Sequence, residues 1–425
     1  MLLKNSVLNL AGYFLPALVA IPALGILAHS LPIESFGLLS LMMAILGYAG
    51  ILDCGLTRAV IRELAIYRGS IAEQKAIIST STVCILLLAV VATLLLEICS
   101  PLLIGLFNAS AQMESALLSA LLWMWLAFPL FLLAQLWLSF LEGRENFLLL
   151  AKQKTVSGIA VSGFPALAVL YDNSLMAAVF GFLLARVLTC LLAFYCVRQE
   201  VIAAGLRFHR PTFNRFIKFG GWLTLSNIIG PLMTYLDRFF VSNALGAGVM
   251  ATYAGPAEII NKLVMIPMAI ARTFFPYLSR LSGSELYRKH VAIAYLFITL
   301  PCVLICIAGY LFAHDIMHLW LGGKYLGDAV IVLQILLAGF LSNAIAQVPF
   351  TQLHAKGFSK LTAIIHLVEV VPYLLLLYFA IKQYGVVGTA IAWSARSIID
   401  LLLLLLAVAY SKSRLLQSDT VGNKL

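Results

Sequence analysis

The sequence predicts an all-α integral membrane protein of about twelve transmembrane helices, and three observations predict it. First, 62% of its 425 residues are hydrophobic and 11% charged, with a mean hydropathy of +1.01. Soluble domains hold about 45–50% apolar and about 25% charged residues. Second, unbroken apolar runs such as 77–98, 116–141 and 291–313 each reach the roughly 20 residues that carry a helix across about 30 Å of hydrocarbon. Third, the connections between runs alternate between basic and nearly cation-free. A membrane β-barrel is excluded, because its strands are only about 9–11 residues long and alternate in polarity.

The expected spans, in order, are 7–29, 35–57, 77–99, 115–140, 155–171, 174–197, 217–243, 249–275, 291–313, 327–352, 361–382 and 386–410. The first follows Lys4 and could imitate a secretory signal, but its apolar run exceeds the 7–15 residues of a signal core, so it reads as a retained helix. One set of connections carries Arg58, Arg62, Arg68 and Lys75, then Arg144, Lys152 and Lys154, then Arg198, Arg207, Arg210, Arg215 and Lys218. It continues with Arg272, Arg280, Arg288 and Lys289, then Lys356 and Lys360, and ends in a tail with Lys412, Arg414 and Lys424. The other set, 29–34, 100–113, 171–174, 243–250 and the last two turns, holds only Lys324 and Lys382. By the positive-inside rule, a split of about 22 cations to 2 places both termini in the cytoplasm.

The chain reads as two similar six-helix halves: a lobe over 1–200, a cytoplasmic linker over 201–218, a second lobe over 219–411 and a tail over 412–425. Each lobe's last helix carries Ala-Arg near mid-span, Ala185-Arg186 and Ala395-Arg396. Six is even, so both halves enter from the same side and the repeat is parallel, about a pseudo-two-fold axis along the membrane normal, a common transporter plan.

The net charge of +10 resides in the loops that set orientation, so no nucleic-acid partner is inferred. The seven cysteines are odd in number, form no C-x-x-C and sit in apolar runs, reading as small buried hydrophobes. No metal or cofactor is implied. His314, Asp315 and His318 share a face but lack a third good ligand. Prolines within spans, Pro165, Pro301 and Pro372 among them, are tolerated in membranes and serve as bends. Trp320 and Tyr325 read as outer-interface anchors and Trp222 as an inner one.

Ionisable groups at membrane depth cost about 2.5–3.5 kcal/mol each on insertion scales and so face a partner or a cavity. The candidates are Asp53, Arg186, Asp237, Arg238, Glu258, Lys262, His366, Glu369, Arg396 and Asp400. Neighbours on a helix at i and i+1 do not face each other, so Asp237 and Arg238 need separate partners, Arg238 toward a cavity and Asp237 toward another helix. Glu258 and Lys262 can neutralise one another at i,i+4, and Arg396 can do the same with Asp400. Asp53 can pair with Arg58 or gate the inner side. Glu369 and His366 share a face at i,i+3 and could serve as a proton site.

Three stretches resemble the polysaccharide flippase family, the O-antigen and lipid-linked oligosaccharide branch of the multidrug/oligosaccharidyl-lipid/polysaccharide (MOP) exporter superfamily. The first is Phe36-Gly37-Leu38-Leu39-Ser40 with Leu52-Asp53-Cys54-Gly55-Leu56 and Arg62-Glu63-Leu64-Ala65. The second is Leu236-Asp237-Arg238-Phe239 with Leu245-Gly246, Tyr253-Ala254 and Phe275-Pro276-Tyr277-Leu278-Ser279. The third is Trp320-Leu321-Gly322-Gly323-Lys324-Tyr325, then 352–357, then Tyr384-Gly385-Val386-Val387-Gly388 running on to Trp393.

The resemblance implies a MATE-like fold in the bacterial inner membrane. It implies flipping of an undecaprenyl-pyrophosphate-linked oligosaccharide from the cytoplasmic to the periplasmic leaflet, with polymerase and chain-length proteins as partners. Arg186, Arg396, Arg238 and Lys262 become candidates for the cargo, since a guanidinium fork matches pyrophosphate oxygens in bidentate fashion. Asp53, Asp237, Glu258, Glu369, His366 and Asp400 become candidates for coupling or gating. Family members are described with a cationic lumen, whereas here the mid-helix acids slightly outnumber the bases. A multidrug exporter of the same superfamily is the nearest alternative. A membrane glycan polymerase or glycosyltransferase is the more distant one, because the loops hold no paired acids or phosphate cradle of the kind such chemistry needs.

Overall fold

The computed structural model describes residues 2–48, 53–280 and 285–422, and their side chains except those of 2–14, 219–234, 276, 285, 359 and 412–422. The helices are α1 (Leu2–Ser30), α2 (Ile33–Gly47), α3 (Leu56–Ile66), α4 (Ile71–Phe107), α5 (Glu114–Gly143), α6 (Phe147–Tyr171) and α7 (Leu175–Ala204). They continue with α8 (Arg210–Leu245), α9 (Ala247–Arg280), α10 (Glu285–Leu311), α11 (Ala313–Leu321), a 3₁₀ turn at Gly323–Tyr325, α12 (Asp328–Ala355) and α13 (Ser359–Gly422). No strand occurs among the described residues. Each expected span falls largely on helix. Eight of the helices are long and apolar enough to cross a bilayer, with shorter apolar stretches at Leu15–Ser30 and Ile33–Gly47. The protein is therefore an all-helical, multi-pass membrane protein.

Helix starts follow ordinary capping chemistry, in which a side-chain oxygen accepts an otherwise orphaned amide of the first turn. Ser70 accepts from Glu73 N at α4, Asn146 from Leu149 N at α6 and Ser174 from Ala177 N at α7. The second span departs from expectation. Instead of running to residue 57, α2 ends at Gly47, and Cys54 and Gly55 take left-handed φ of 51° and 69°. They start α3, whose buried residues Leu56, Ala59, Val60, Glu63 and Leu64 lie on one face at helical spacing. Hydropathy averaged over a window runs these two elements together.

The chain divides into two compact units, Met1–Ala251 and Thr252–Leu425. In the first, α7 packs on α5 and α6, α1 on α6, and α8 on α2, α3 and α4. Two sets of polar contacts mark its two ends. At one, Arg215 pairs with Glu63 at 2.9 Å and Glu73 at 2.6 Å, and Arg62 with Glu63 at 2.9 Å. Nearby, Arg144 pairs with Glu200 and reaches Gln74 at 3.2 Å, and Arg68 pairs with Glu145 at 3.0 Å. At the other, Ser110 donates from its amide and hydroxyl to Glu34 at 2.6 and 2.9 Å. Asn108 there donates to Asn243 O at 3.3 Å and Ser242 to Phe107 O at 2.6 Å. Loops of the basic set thus touch one another, and so do loops of the cation-poor set, which is the grouping the charge alternation predicts.

In the second unit α12 packs on α10, α11 and α13. α13 is interrupted at Gly385, whose φ of 58° and ψ of −138° are open to glycine and strained for other residues. The break turns α13 into a hairpin whose arms, 359–384 and 386–411, lie side by side. Ala346 and Leu353 of α12 and Leu404 and Ala407 of the second arm form a core, against which Phe350, Leu361, Ile365 and Leu401 pack. Tyr325, expected at the interface, is instead fully buried, while Trp320 is half-buried. The side chain of Trp222 lies outside the described residues.

Candidate functional site: buried ionisable groups

The second unit gathers four of the sequence-predicted residues into one cluster. His366 and Glu369 come from the first arm of the α13 hairpin, Arg396 and Asp400 from the second. His366 Nε2 lies 3.3 Å from Asp400 Oδ1, and Arg396 Nη1 lies 4.0 Å from Glu369 Oε2. Glu369 is 5% exposed and Asp400 6%. Arg396 lies over the Tyr373 ring, 5.4 Å from its centre, and His366 stacks on Phe350 of α12 at 5.9 Å. His354, 4.1 Å from the centre of the Phe350 ring, meets the Thr362 hydroxyl at 2.9 Å.

These pairings differ from the intrahelical ones that the spacing suggests. Arg396 meets Glu369 of the opposite arm, and the near carboxylate one turn on, Asp400, goes to His366. The hairpin explains the difference, since facing positions on two packed helices approach as closely as i,i+4 positions on one.

In the first unit Arg186 stands apart. Its guanidinium lies between the rings of Phe131 on α5 and Phe182 on α7, at 4.8 and 4.7 Å from their centres. Its Nε is buried without a hydrogen-bond partner, and among the described residues no carboxylate pairs with it. Cation–π contact offsets part of the burial penalty, about 2 kcal/mol when desolvated, and leaves the donors of the fork unused.

The remaining candidates are placed otherwise. Asp237 and Arg238 are both buried on α8, Arg238 at 2% exposure. Arg238 packs over Tyr235 at 5.3 Å, and its own amide donates to Asp237 Oδ1 at 2.8 Å. Tyr48 closes the group edge-on to Tyr235 at 5.8 Å, so Arg238 is walled in by protein and not turned toward open space. Glu258 and Lys262 sit one turn apart on α9, both half-buried. Asp53 does not engage Arg58. It accepts from Gly55 N at 2.8 Å, from Thr57 N at 3.4 Å and from the Thr57 hydroxyl, holding the turn into α3.

Sequence reading passed over Glu63 and Arg215. Glu63 is 2% exposed and occupies a core position of α3, seven residues after Leu56. A carboxylate on the apolar face of a short amphipathic helix signals a buried ion pair. Its partner Arg215 lies in a basic linker, where one arginine among several gives no such signal.

A bundle of long apolar helices with acids and arginines buried inside it defines a membrane transporter. Solved structures agree on the fold. An inward-facing multidrug resistance MATE family transporter of the MOP superfamily superposes with a TM-score of 0.80, covering 96% of this chain and 99% of that one at 14% identity. The lipid II flippase MurJ in an inward closed conformation does so with 0.79, covering 95% and 87% at 16% identity. Residues 2–282 match the polysaccharide biosynthesis protein family, and the chain belongs to that family. A candidate O-antigen transporter of Shigella flexneri is 44% identical over 403 residues, 95% of this chain and 96% of that protein. A Klebsiella pneumoniae membrane protein of the cps region is 25% identical over 397 residues, 89% of this chain and 76% of that protein.

Proposed function

We propose that this protein is a flippase that carries an undecaprenyl-pyrophosphate-linked oligosaccharide, an O-antigen or similar repeat unit, across the bacterial inner membrane from the cytoplasmic to the periplasmic leaflet. Both termini lie in the cytoplasm in this reading, and polymerase and chain-length proteins take the cargo on the far side. Full-length similarity to a candidate O-antigen transporter supports the cargo class. Within the molecule, the observation that carries the reading is Arg186. A half-buried guanidinium held between two aromatic rings, with no carboxylate on it among the described residues, keeps its fork for an anionic visitor. A pyrophosphate supplies paired oxygens of matching geometry. The cargo's charge then replaces the missing acid as it passes, and alternating access of the two lobes moves it outward.

Deletion of the gene tests the reading. The expected result is loss of surface polysaccharide with accumulation of a lipid-pyrophosphate-linked repeat unit on the cytoplasmic side. Unchanged surface polysaccharide together with altered drug sensitivity would instead identify a multidrug exporter.

A further inference from the structure

Where α7 gives way to α8, the cations divide into paired and unpaired. Arg215 is taken up by Glu63 and Glu73, and Arg144 nearby by Glu200. Arg207, Arg210 and Lys218 are exposed, and among the described residues no carboxylate pairs with any of them. Leu206, Phe208 and Ile217, interleaved with these cations, are exposed as well. The fold holds the segment in place. Gly205 turns the chain out of α7 with a φ of 67°, the His209 amide donates to the buried Thr80 hydroxyl of α4 at 3.0 Å, and Phe208 packs on Phe213 at 5.1 Å. On the first turns of α8, Thr212 and Phe216 are buried, while Arg210, Asn214, Ile217 and Lys218 face outward, an amphipathic arrangement at helical spacing.

Helix length places this patch at a membrane surface. Leu184, Leu191, Tyr195 and Ile202 form one exposed stripe along α7, the face that meets acyl chains in a multi-pass protein. From Leu175, where α7 begins, to Tyr195 the helix rises about 30 Å at about 1.5 Å per residue, the thickness of the hydrocarbon. Tyr195 thus falls at the hydrocarbon edge, where tyrosine is enriched, and the Arg198 guanidinium lies over its ring at 4.0 Å. The rest of α7 adds about 13 Å, enough to carry the chain through a headgroup layer of about 5–8 Å. The chain then turns, and α8 passes back through that layer between Arg210 and Lys218, a rise of about 12 Å. A patch that is cationic and apolar at once, at this depth, matches a surface that is anionic and apolar at once.

We propose that Arg207, Arg210 and Lys218, with Leu206, Phe208 and Ile217 among them, form a docking surface for anionic phospholipid. The guanidinium forks and the ammonium group take the phosphodiester oxygens, and the apolar side chains reach toward the acyl boundary. The occupant is a lipid of the surrounding bilayer and not the cargo, so the site goes beyond the transport reading and stands without it. Its effect is to hold the α7–α8 turn at a fixed depth in the membrane.

Native mass spectrometry of the purified full-length protein, titrated with phosphatidylglycerol or with phosphatidylcholine, tests the surface. The first phosphatidylglycerol adduct should form at lower lipid concentration than the first phosphatidylcholine adduct. Each cation near a membrane surface contributes about fivefold to such binding. Arg207→Gln, Arg210→Gln and Lys218→Gln combined should therefore weaken the phosphatidylglycerol adduct by at least about tenfold. Lys382→Gln, in a turn of the cation-poor set, should leave it unchanged. Leu206→Ser should weaken it by a smaller factor. All variants are checked for a monodisperse folded species. Equal retention of the two lipids, or a folded triple variant that binds phosphatidylglycerol as the parent does, overturns the lipid surface and leaves the patch to a protein partner. An unchanged Leu206→Ser variant removes the apolar contact from it.

Discussion

At the scale of single residues, Arg186 and Arg396 occupy equivalent places in the sequence and opposite situations in the structure. Arg186 has aromatic rings and no acid, and Arg396 has an acid and one ring. Their alanine variants therefore fail differently. Arg186→Ala removes about 1.5–3 kcal/mol of charge-assisted bonding to the cargo, so surface polysaccharide should fall about tenfold or more with protein abundance unchanged. Arg186→Lys keeps the charge, loses the fork and should retain part of the activity. Arg396→Ala instead strands Glu369 beside Asp400, a penalty of about 3–5 kcal/mol. It should deplete folded protein from the membrane, measured by fluorescence-detected size exclusion, and Arg396→Ala with Glu369→Ala should recover much of the loss. The sequence marked both arginines by their depth as candidates for the cargo, and the alternative partner it offered Arg396 was the carboxylate one turn away. Spacing along one helix is visible in a sequence, and the partner across a hairpin is not.

At the scale of elements, α3 shows how a buried charge fixes a short helix. It lies against α5 and α8, and Glu63 on its packed face is neutralised by Arg215 of α8. Arg215 is partly exposed, so Arg215→Ala should destabilise by less than the full buried-pair cost, about 2 kcal/mol. Glu63→Gln in the same chain should restore most of the melting temperature. The crossing of α2 over the start of α9 gives a steric counterpart. A Cβ at Gly37 would sit 2.0 Å from Ala247 O, a backbone atom that cannot swing aside. Gly37→Ala should lower thermal stability by about 1–3 kcal/mol. The control is Gly163→Ala, where the added Cβ meets open space and stability should not fall. Gly37, Gly55 and Gly385 all fall within the stretches that carry the family resemblance. Those motifs are thus legible as turns and close approaches, and they identify the fold more directly than the cargo.

For the molecule as a whole, hydropathy and charge were enough to lay out the helices, because the bilayer imposes length and polarity on each span separately. What escaped was whatever two spans decide together: the break between α2 and α3, the burial of Tyr325 and the partners of the mid-membrane charges. The grouping of the loops into two sets gives a direct topology test. Alkaline phosphatase fused after Gly322 should be active and the same enzyme fused after Gly357 inactive; equal activity at both would overturn the assigned orientation.

The hairpin of α13 also bears on how the chain enters the bilayer. The arms differ in charge balance: the second holds Arg396 and Asp400, one cation and one anion, whereas the first holds Glu369 with only the imidazole of His366 beside it. The first arm threaded alone would bring the ionised Glu369 into hydrocarbon at about 2.5–3.5 kcal/mol, with its partner Arg396 still in the ribosome. The two arms gain by partitioning as one unit from the insertion machinery, after the tight Gly385 turn has formed.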